Sequence, residues 1–194
     1  MNATRPLLSA ILISWNRREL LQSAIQSLKE QQYPHIEYII VDNRSTDGTV
    51  EWLREQDDLN VIENEENRGA SAARNQGIRE SQGKYLVFLD SDAEILTPNS
   101  LQRLVEVLEE RPEMAGASGG VFLDRNASKI WCYAPCMNWE GLYDPERSTT
   151  YQEEPPLLST CFSVFRKSSI YEVGGFDETY FYMYEDGDLC EQLI

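Results

Sequence analysis

The chain has 194 residues, 41% of them apolar, and its 33 acidic against 17 basic side chains give a formal charge of −16. That length and apolar share suit a folded core and exclude a chain that stays disordered. The acidity weighs against nonspecific binding to nucleic acid or to an anionic membrane, so an anionic ligand must be met locally by a cation, by arginines or by backbone N–H groups.

An apolar run over residues 7–14 reads as the first strand; the stretch 7–13, broken by Ser9, is too short to span a membrane, and no signal-peptide cleavage pattern follows it. Residues 17–32 place Leu20, Leu21, Ala24, Ile25 and Leu28 on one helical stripe, ended by Pro34, and His35 beside it reads as structural. Residues 36–41 form a second strand that stops at Asp42. The polar cluster 43–48 offers several helix caps ahead of a short helix over 49–56. Val61-Ile62 is a brief third strand. Residues 69–81 are small and alanine-rich, as a helix packed closely on a sheet requires, and 85–89 are a fourth strand. Pro98 and Asn99 introduce a helix over 101–110 with Leu101, Leu104, Val105 and Leu108 inward. This alternation predicts an α/β fold: a mostly parallel, buried sheet with helices on both faces.

Beyond Pro112 the rhythm changes. Residues 114–123 read as a strand containing three glycines, 124–156 as irregular with four prolines and many aromatics, and 157–165 as another strand. Gly174-Gly175 is a turn, and a last helix starts near Glu185. Leu189 and Leu193 stand i, i+4 in that helix with no stop signal after them, so the chain is expected to end inside a longer natural protein. The four cysteines, Cys132, Cys136, Cys161 and Cys190, lack paired C-x₂-C arms and read as reduced thiols rather than a zinc site.

The chemistry concentrates at strand ends. In open parallel sheets ligands bind beyond the carboxyl ends of the strands. Here strand one finishes at Ser14-Trp15-Asn16, strand two at Asp42-Asn43 and strand four at Asp90-Ser91-Asp92. In extended backbone residues i and i+2 share a face, so Asp90 and Asp92 can meet one cation. Oxygen ligands of this kind suit Mg²⁺ or Mn²⁺, which commonly share their coordination with substrate phosphates.

The series Ser14-Trp15-Asn16-Arg17, Val41-Asp42-Asn43-Arg44-Ser45-Thr46-Asp47-Gly48-Thr49, Glu66-Asn67-Arg68-Gly69-Ala70-Ser71-Ala72-Ala73-Arg74-Asn75 and Leu89-Asp90-Ser91-Asp92 resembles the family-2 glycosyltransferases. Gly174-Gly175-Phe176-Asp177-Glu178 and Tyr184-Glu185-Asp186-Gly187-Asp188-Leu189-Cys190 match the later motifs of the same family. The resemblance implies the GT-A fold, a nucleotide-binding α/β sandwich. It divides a single domain over 1–194 into a donor-binding half, 1–110, and an acceptor-side half, 111–194.

On these positions the resemblance implies a donor site of Ser14, Trp15, Asn16, Asp42, Arg74, Asp90 and Ser91. Asp42 would accept from the nucleotide base, Trp15 would stack on it, and Arg74 would hold the nucleotide or its phosphates. Asp90 and Asp92 would form the D-x-D signature, with Asp92 the direct ligand of Mn²⁺ or Mg²⁺. Asp186 would be the catalytic base, and one base without a second carboxylate nucleophile fits a single, inverting displacement. Glu185 and Asp188 remain alternatives for that base, and all three acids also suit a first helical turn. Of the aromatics Trp131, Tyr133, Trp139, Tyr143 and Tyr151, Trp139 and Tyr143 are candidates to face the acceptor, with Glu185 beside them; packing is the competing reading.

The activity so implied is transfer of a hexose or related sugar from a nucleotide-diphosphate sugar to a saccharide or lipid-linked saccharide. Its setting would be polysaccharide or glycoconjugate synthesis in the cytoplasm or at the inner face of a membrane. A homo-oligomer is compatible with it; a nucleic-acid partner is not expected. Two rival enzyme classes fit less well. A phosphohydrolase with Asp90 as nucleophile normally continues with threonine or valine where Glu94 stands, and a nucleotidyltransferase needs a glycine- and lysine-rich loop where Trp15-Asn16-Arg17-Arg18 stands. The alternative outside catalysis is a nucleotide-sugar-binding module that lacks transfer activity in this shortened form.

Overall fold

A computed structural model describes residues 5–132, 149 and 157–194. Cys136, Trp139, Tyr143, Tyr133 and Tyr151 lie outside the described residues. Strands β1 (Leu8–Ser14), β2 (Ile36–Asp42), β3 (Leu59–Glu63) and β4 (Tyr85–Leu89) alternate with helices α1 (Arg18–Lys29), α2 (Thr49–Leu53), α3 (Gly69–Glu80) and α4 (Ser100–Glu110). Then come β5 (Gly116–Ser118), β6 (Val121–Phe122), β7 (Ile130–Cys132), β8 (Phe162–Arg166), α5 (Lys167–Val173) and α6 (Glu185–Gln192).

Six strands form one sheet in the order β3-β2-β1-β4-β8-β5. β1 pairs in parallel with β2 and β4, and β2 with β3. β8 runs antiparallel to both β4 and β5, so it alone opposes the other five. β6 and β7 make a separate antiparallel pair. The period-2 pattern of the strands sorts the core into two layers. Leu8, Ala10, Leu12, Val87 and Leu89 pack against Leu21, Leu28, Leu101, Val105 and Leu108 of α1 and α4. Ile11, Ile39, Leu86, Phe88 and Phe165 pack on the other face against Ile78 of α3, Ile170 of α5 and Leu189 of α6. Burying each of the Leu, Ile, Val and Phe side chains among these contributes about 1.5–3 kcal/mol. Phe88 also meets the rings of Phe165 and Phe176 edge-on, at centroid distances of 6.0 and 5.4 Å.

The expected α/β fold, with helices on both faces of a mostly parallel sheet, is the observed one. Four details differ. Leu20 is half exposed, because it lies on the flank of the face of α1 that buries Leu21, Ala24, Ile25 and Leu28. The strand expected over 114–123 breaks at Gly119-Gly120 into β5 and β6, which join different sheets. The strand expected over 157–165 begins only at Phe162. Helix α5 follows it directly, and Arg166, at the junction, turns its guanidinium to the carbonyls of Leu108, Arg111 and Met114. The Leu108 and Arg111 carbonyls lie at the C-terminal end of α4 and Met114 in the turn beyond it, where an arginine can satisfy carbonyls that the helix leaves open.

Candidate active site

Parallel strands bring the loops after β1, β2, β3 and β4 to one edge of the sheet. Ser14 stands opposite Asp42 in register, and the Asn43 N–H donates to the Ser14 carbonyl at 2.8 Å. Asp42 is fully buried, and its two oxygens accept the N–H and the hydroxyl of Ser45, each at 2.7 Å. Ser45 Oγ accepts the Asn16 N–H at 2.8 Å, and Asn16 Oδ1 accepts the Thr46 N–H at 2.7 Å. The loops after β1 and β2 are thus laced into one wall, with Asn16 and Arg44 both in the left-handed region. Asp47 adds a further lace by accepting the N–H groups of Arg18 and Thr49, which serve the first turns of α1 and α2. Between buried Ser14 and this lacework Trp15 is 55% exposed, so its ring is free for contact from solvent.

The opposite wall is acidic. Arg74 rises from α3 into a buried position over the Phe176 ring, 5.5 Å from its centroid. One guanidinium nitrogen donates to Glu185, which is equally buried, and another reaches Asp90 Oδ1 at 3.3 Å. Glu185 Oε2 is buried with no hydrogen-bond partner among the described residues. Asp186, beside it in the first turn of α6, accepts the Gly187 N–H at 2.9 Å. The Asp90 N–H donates to the Cys161 carbonyl at 3.1 Å, which fixes the end of β4 against the chain entering β8. Ser91 is buried, and Asp92 is 44% exposed with Arg17 bonded to its Oδ2.

Burial pushes the Asp90 carboxyl above the usual range; Arg74 opposes that shift, and the nearby carboxylates of Asp92, Glu185 and Asp186 add to it. Its side chain nevertheless keeps 42% of its surface open to solvent. Asp90 is thus packed on several sides and wetted on another. Burial also raises Asp186, with Glu185 adding to the shift and Arg74 and the N–H groups of Gly187 and Thr160 opposing it. Carboxyl groups raised by burial beside a charged partner are what a proton-transfer site requires, and structural ion-pair networks produce the same shift.

Trp15, Asn16, Asp90, Ser91 and Asp92 therefore lie on loops at one edge, and Arg74 and Glu185 link that edge to Asp186. Asp42 and Ser14 sit behind it, without exposed surface. Trp139 and Tyr143 lie outside the described residues. Two depressions, of about 650 Å³ beside α1 and about 500 Å³ beyond β2 and β3, include none of the carboxylates at positions 90, 92 and 186. Sequence reasoning missed Ser45, whose N–H and hydroxyl occupy the two Asp42 oxygens, and Arg17 as a side chain bonded to Asp92. A hydroxyl three residues after Asp42 was the available signal for the first.

Among the described residues no group of three or more potential metal ligands gathers. The two carboxylates at the end of β4 nevertheless offer hard oxygen donors, and Mg²⁺ or Mn²⁺ can take one or two carboxylates alongside phosphate oxygens and water. The residues present fit such an ion.

A mostly parallel sheet with an acidic rim at its carboxyl edge is the layout of GT-A glycosyltransferases. The chain belongs to glycosyl transferase family 2, whose sequence profile matches residues 9–174. TuaG of Bacillus subtilis, named for teichuronic acid biosynthesis, is 38% identical over 115 residues, covering 57% of this chain and 45% of TuaG. The poly-beta-1,6-N-acetyl-D-glucosamine synthase of Staphylococcus epidermidis is 26% identical over 174 residues, covering 88% of this chain and 42% of the synthase. The chain spans less than half the length of these curated relatives. Among solved structures, S. aureus TarS 1-349 superposes with a TM-score of 0.73 at 20% identity, over 96% of this chain and 55% of that one. The mannosyltransferase PcManGT of Pyrobaculum calidifontis, solved with GDP-Man and Mn²⁺, gives 0.67 at 24% identity, over 90% and 48%.

Proposed function

We infer that the protein transfers a sugar from a nucleotide-diphosphate donor to a hydroxyl of a saccharide or lipid-linked saccharide, with inversion and with help from a divalent cation. The observation that carries this reading is the single edge on which Trp15, Asp90, Asp92 and the Arg74–Glu185 pair beside Asp186 come together. In this reading the base of the nucleotide lies against the Trp15 ring, in the wall built by Asn16, Asp42 and Ser45. Asp92, with Asp90, would hold Mn²⁺ or Mg²⁺, which when bound neutralises charge on the departing nucleoside diphosphate. Asp186 takes the proton of the acceptor hydroxyl as its oxygen attacks the anomeric carbon and the bond to the diphosphate oxygen breaks. A positioned base of this kind contributes about 10²–10⁴-fold. Arg74 keeps Glu185 and Asp90 in place and supplies the positive charge that lets three carboxylates share the floor of the site.

The relatives' names, for teichuronic acid biosynthesis and for poly-beta-1,6-N-acetyl-D-glucosamine synthesis, support a role in polysaccharide synthesis, and in this reading the work is done in the cytoplasm or at the inner face of a membrane. Among the described residues no helix is long and apolar enough to cross a bilayer. A second reading, a nucleotide-sugar-binding module without transfer, is favoured by one fact: the chain covers 45% or less of the curated relatives described above. Thermal melts with nucleoside diphosphates and Mn²⁺ or Mg²⁺ test the donor site, since a ligand that binds only the folded chain raises its melting temperature. Stabilisation is expected with diphosphate and metal together, and Asp92→Ala should remove the part that needs metal. Equal stabilisation without metal, or in the variant, contradicts the assignment. Binding without release of diphosphate from a sugar donor in the presence of acceptors selects the second reading.

A further inference from the structure

Among the described residues two guanidinium groups are bonded to carboxylates of the acidic rim, and they are held very differently. Arg74 is buried, bonded to Glu185 and Asp90, and stacked over Phe176. Moving it toward a ligand would strand buried Glu185 without a partner, which is costly. Arg17 stands on the loop after β1, next to β4 in the sheet, with 48% of its side chain exposed, and pairs with the 44% exposed Asp92. An ion pair so open to water is weak and readily exchanged. Arg44 and Arg68 line the depression beyond β2 and β3, farther from β4 along the sheet. The first N–H group of α1, on Arg18, is already taken by Asp47, so it offers nothing to an anion.

We propose that Arg17 is the diphosphate-binding guanidinium of this site, held on Asp92 until a divalent cation and a diphosphate arrive together and exchange it. This rests on the donor-site reading given above. The chain carries a net charge of −16, and the rim holds Asp90, Asp92, Glu185 and Asp186, so an incoming diphosphate meets repulsion unless a positive group turns to it. Arg74 is already matched against two carboxylates. Arg17 is matched against one, and that one is the carboxylate a cation would take over. The cation then releases Arg17 at the place where the phosphates enter, and a guanidinium fork is well shaped to grip phosphate oxygens. Before the exchange, the same pair neutralises Asp92 and blocks loose binding of metal alone. Metal and diphosphate therefore bind with positive cooperativity, each removing one partner of the Arg17–Asp92 pair.

Inorganic pyrophosphate is the probe, because it leaves out the base and sugar. Calorimetry with Mn²⁺ alone, and with Mn²⁺ plus pyrophosphate, is run on the chain, on Arg17→Gln and on Arg17→Lys. Arg17→Gln is expected to bind Mn²⁺ alone at least as tightly as the parent and to bind pyrophosphate with Mn²⁺ about tenfold or more weakly, the loss typical of a charge-assisted contact. Arg17→Lys should recover part of that loss. Parent binding with no change in Arg17→Gln overturns the proposal for Arg17 and leaves the donor site standing. A parallel fall in Mn²⁺ and pyrophosphate affinity also overturns it, because it makes Arg17 a support of the loop. No binding of Mn²⁺ and pyrophosphate by the parent overturns both readings.

Discussion

Asp186 carries the sharpest expectation at the scale of single residues. Its pKa is raised first by burial and then by Glu185, so the folded chain binds that proton more tightly than the unfolded chain does. The unfavourable contribution to stability is absent below the unfolded pKa and complete once the pH passes the raised folded value. Asp186→Asn removes the charge and retains an oxygen for the Gly187 N–H. Its melting temperature at pH 7 should therefore exceed that of the parent, by about 2–4 °C for each kcal/mol relieved. The difference should close as the pH falls into the carboxylate range. In the reading that makes Asp186 the base, sugar transfer should fall about 10²–10⁴-fold in the same variant. A lower melting temperature at pH 7 contradicts the strained, buried carboxylate described here. The motif around Asp186 was legible in the sequence. The Arg74–Glu185 pair that sets its surroundings spans 111 positions, and no local pattern announces such a contact.

Among the elements, α3 does most to join the two halves of the chain. Asn75 both accepts the Phe176 N–H at 2.9 Å and donates to the Phe176 carbonyl at 2.8 Å. The Ala70 N–H donates to Phe181 at 2.8 Å, and a Cβ on Gly69 would stand 2.5 Å from that same carbonyl oxygen, so only glycine lets the segment leading to Glu185 and Asp186 close in. Gly77 plays the matching role against the sheet, since a Cβ there would stand 2.5 Å from a methyl of Ile11. In an exposed helix Gly→Ala stabilises by about 1 kcal/mol. Here Gly77→Ala should destabilise by about 1–3 kcal/mol through overpacking, measured by urea unfolding; a gain in stability contradicts the close packing of α3. The small residues of 69–81 made that packing legible beforehand, and the apolar runs of β1, β2 and β4 made the buried strands so. Helix α5 escaped notice because its seven residues carry only a thin apolar stripe, with Ile170 alone fully buried. The break at Gly119-Gly120 escaped because glycine within an apolar run fits a bulge, a turn or a strand end equally well.

For the molecule as a whole, direction matters most. Five of the six strands of the main sheet run the same way, and their carboxyl ends carry Trp15, Asp90 and Asp92 to one edge, where Arg74, Glu185 and Asp186 meet them. A seven-residue strand is roughly 23 Å long, so the edge near Leu8, Ile36 and Tyr85 lies well away from that rim. Paramagnetic Mn²⁺ added with pyrophosphate to the isotope-labelled chain reads this separation directly by NMR. The amide signals of Asn16, Asp90, Asp92 and Asp186 are expected to be lost together at the lowest Mn²⁺ levels, while those of Leu8, Ile36 and Tyr85 broaden far less. Broadening at the far edge equal to that at the rim, or at Asp92 without Asp186, would contradict a single metal–diphosphate site.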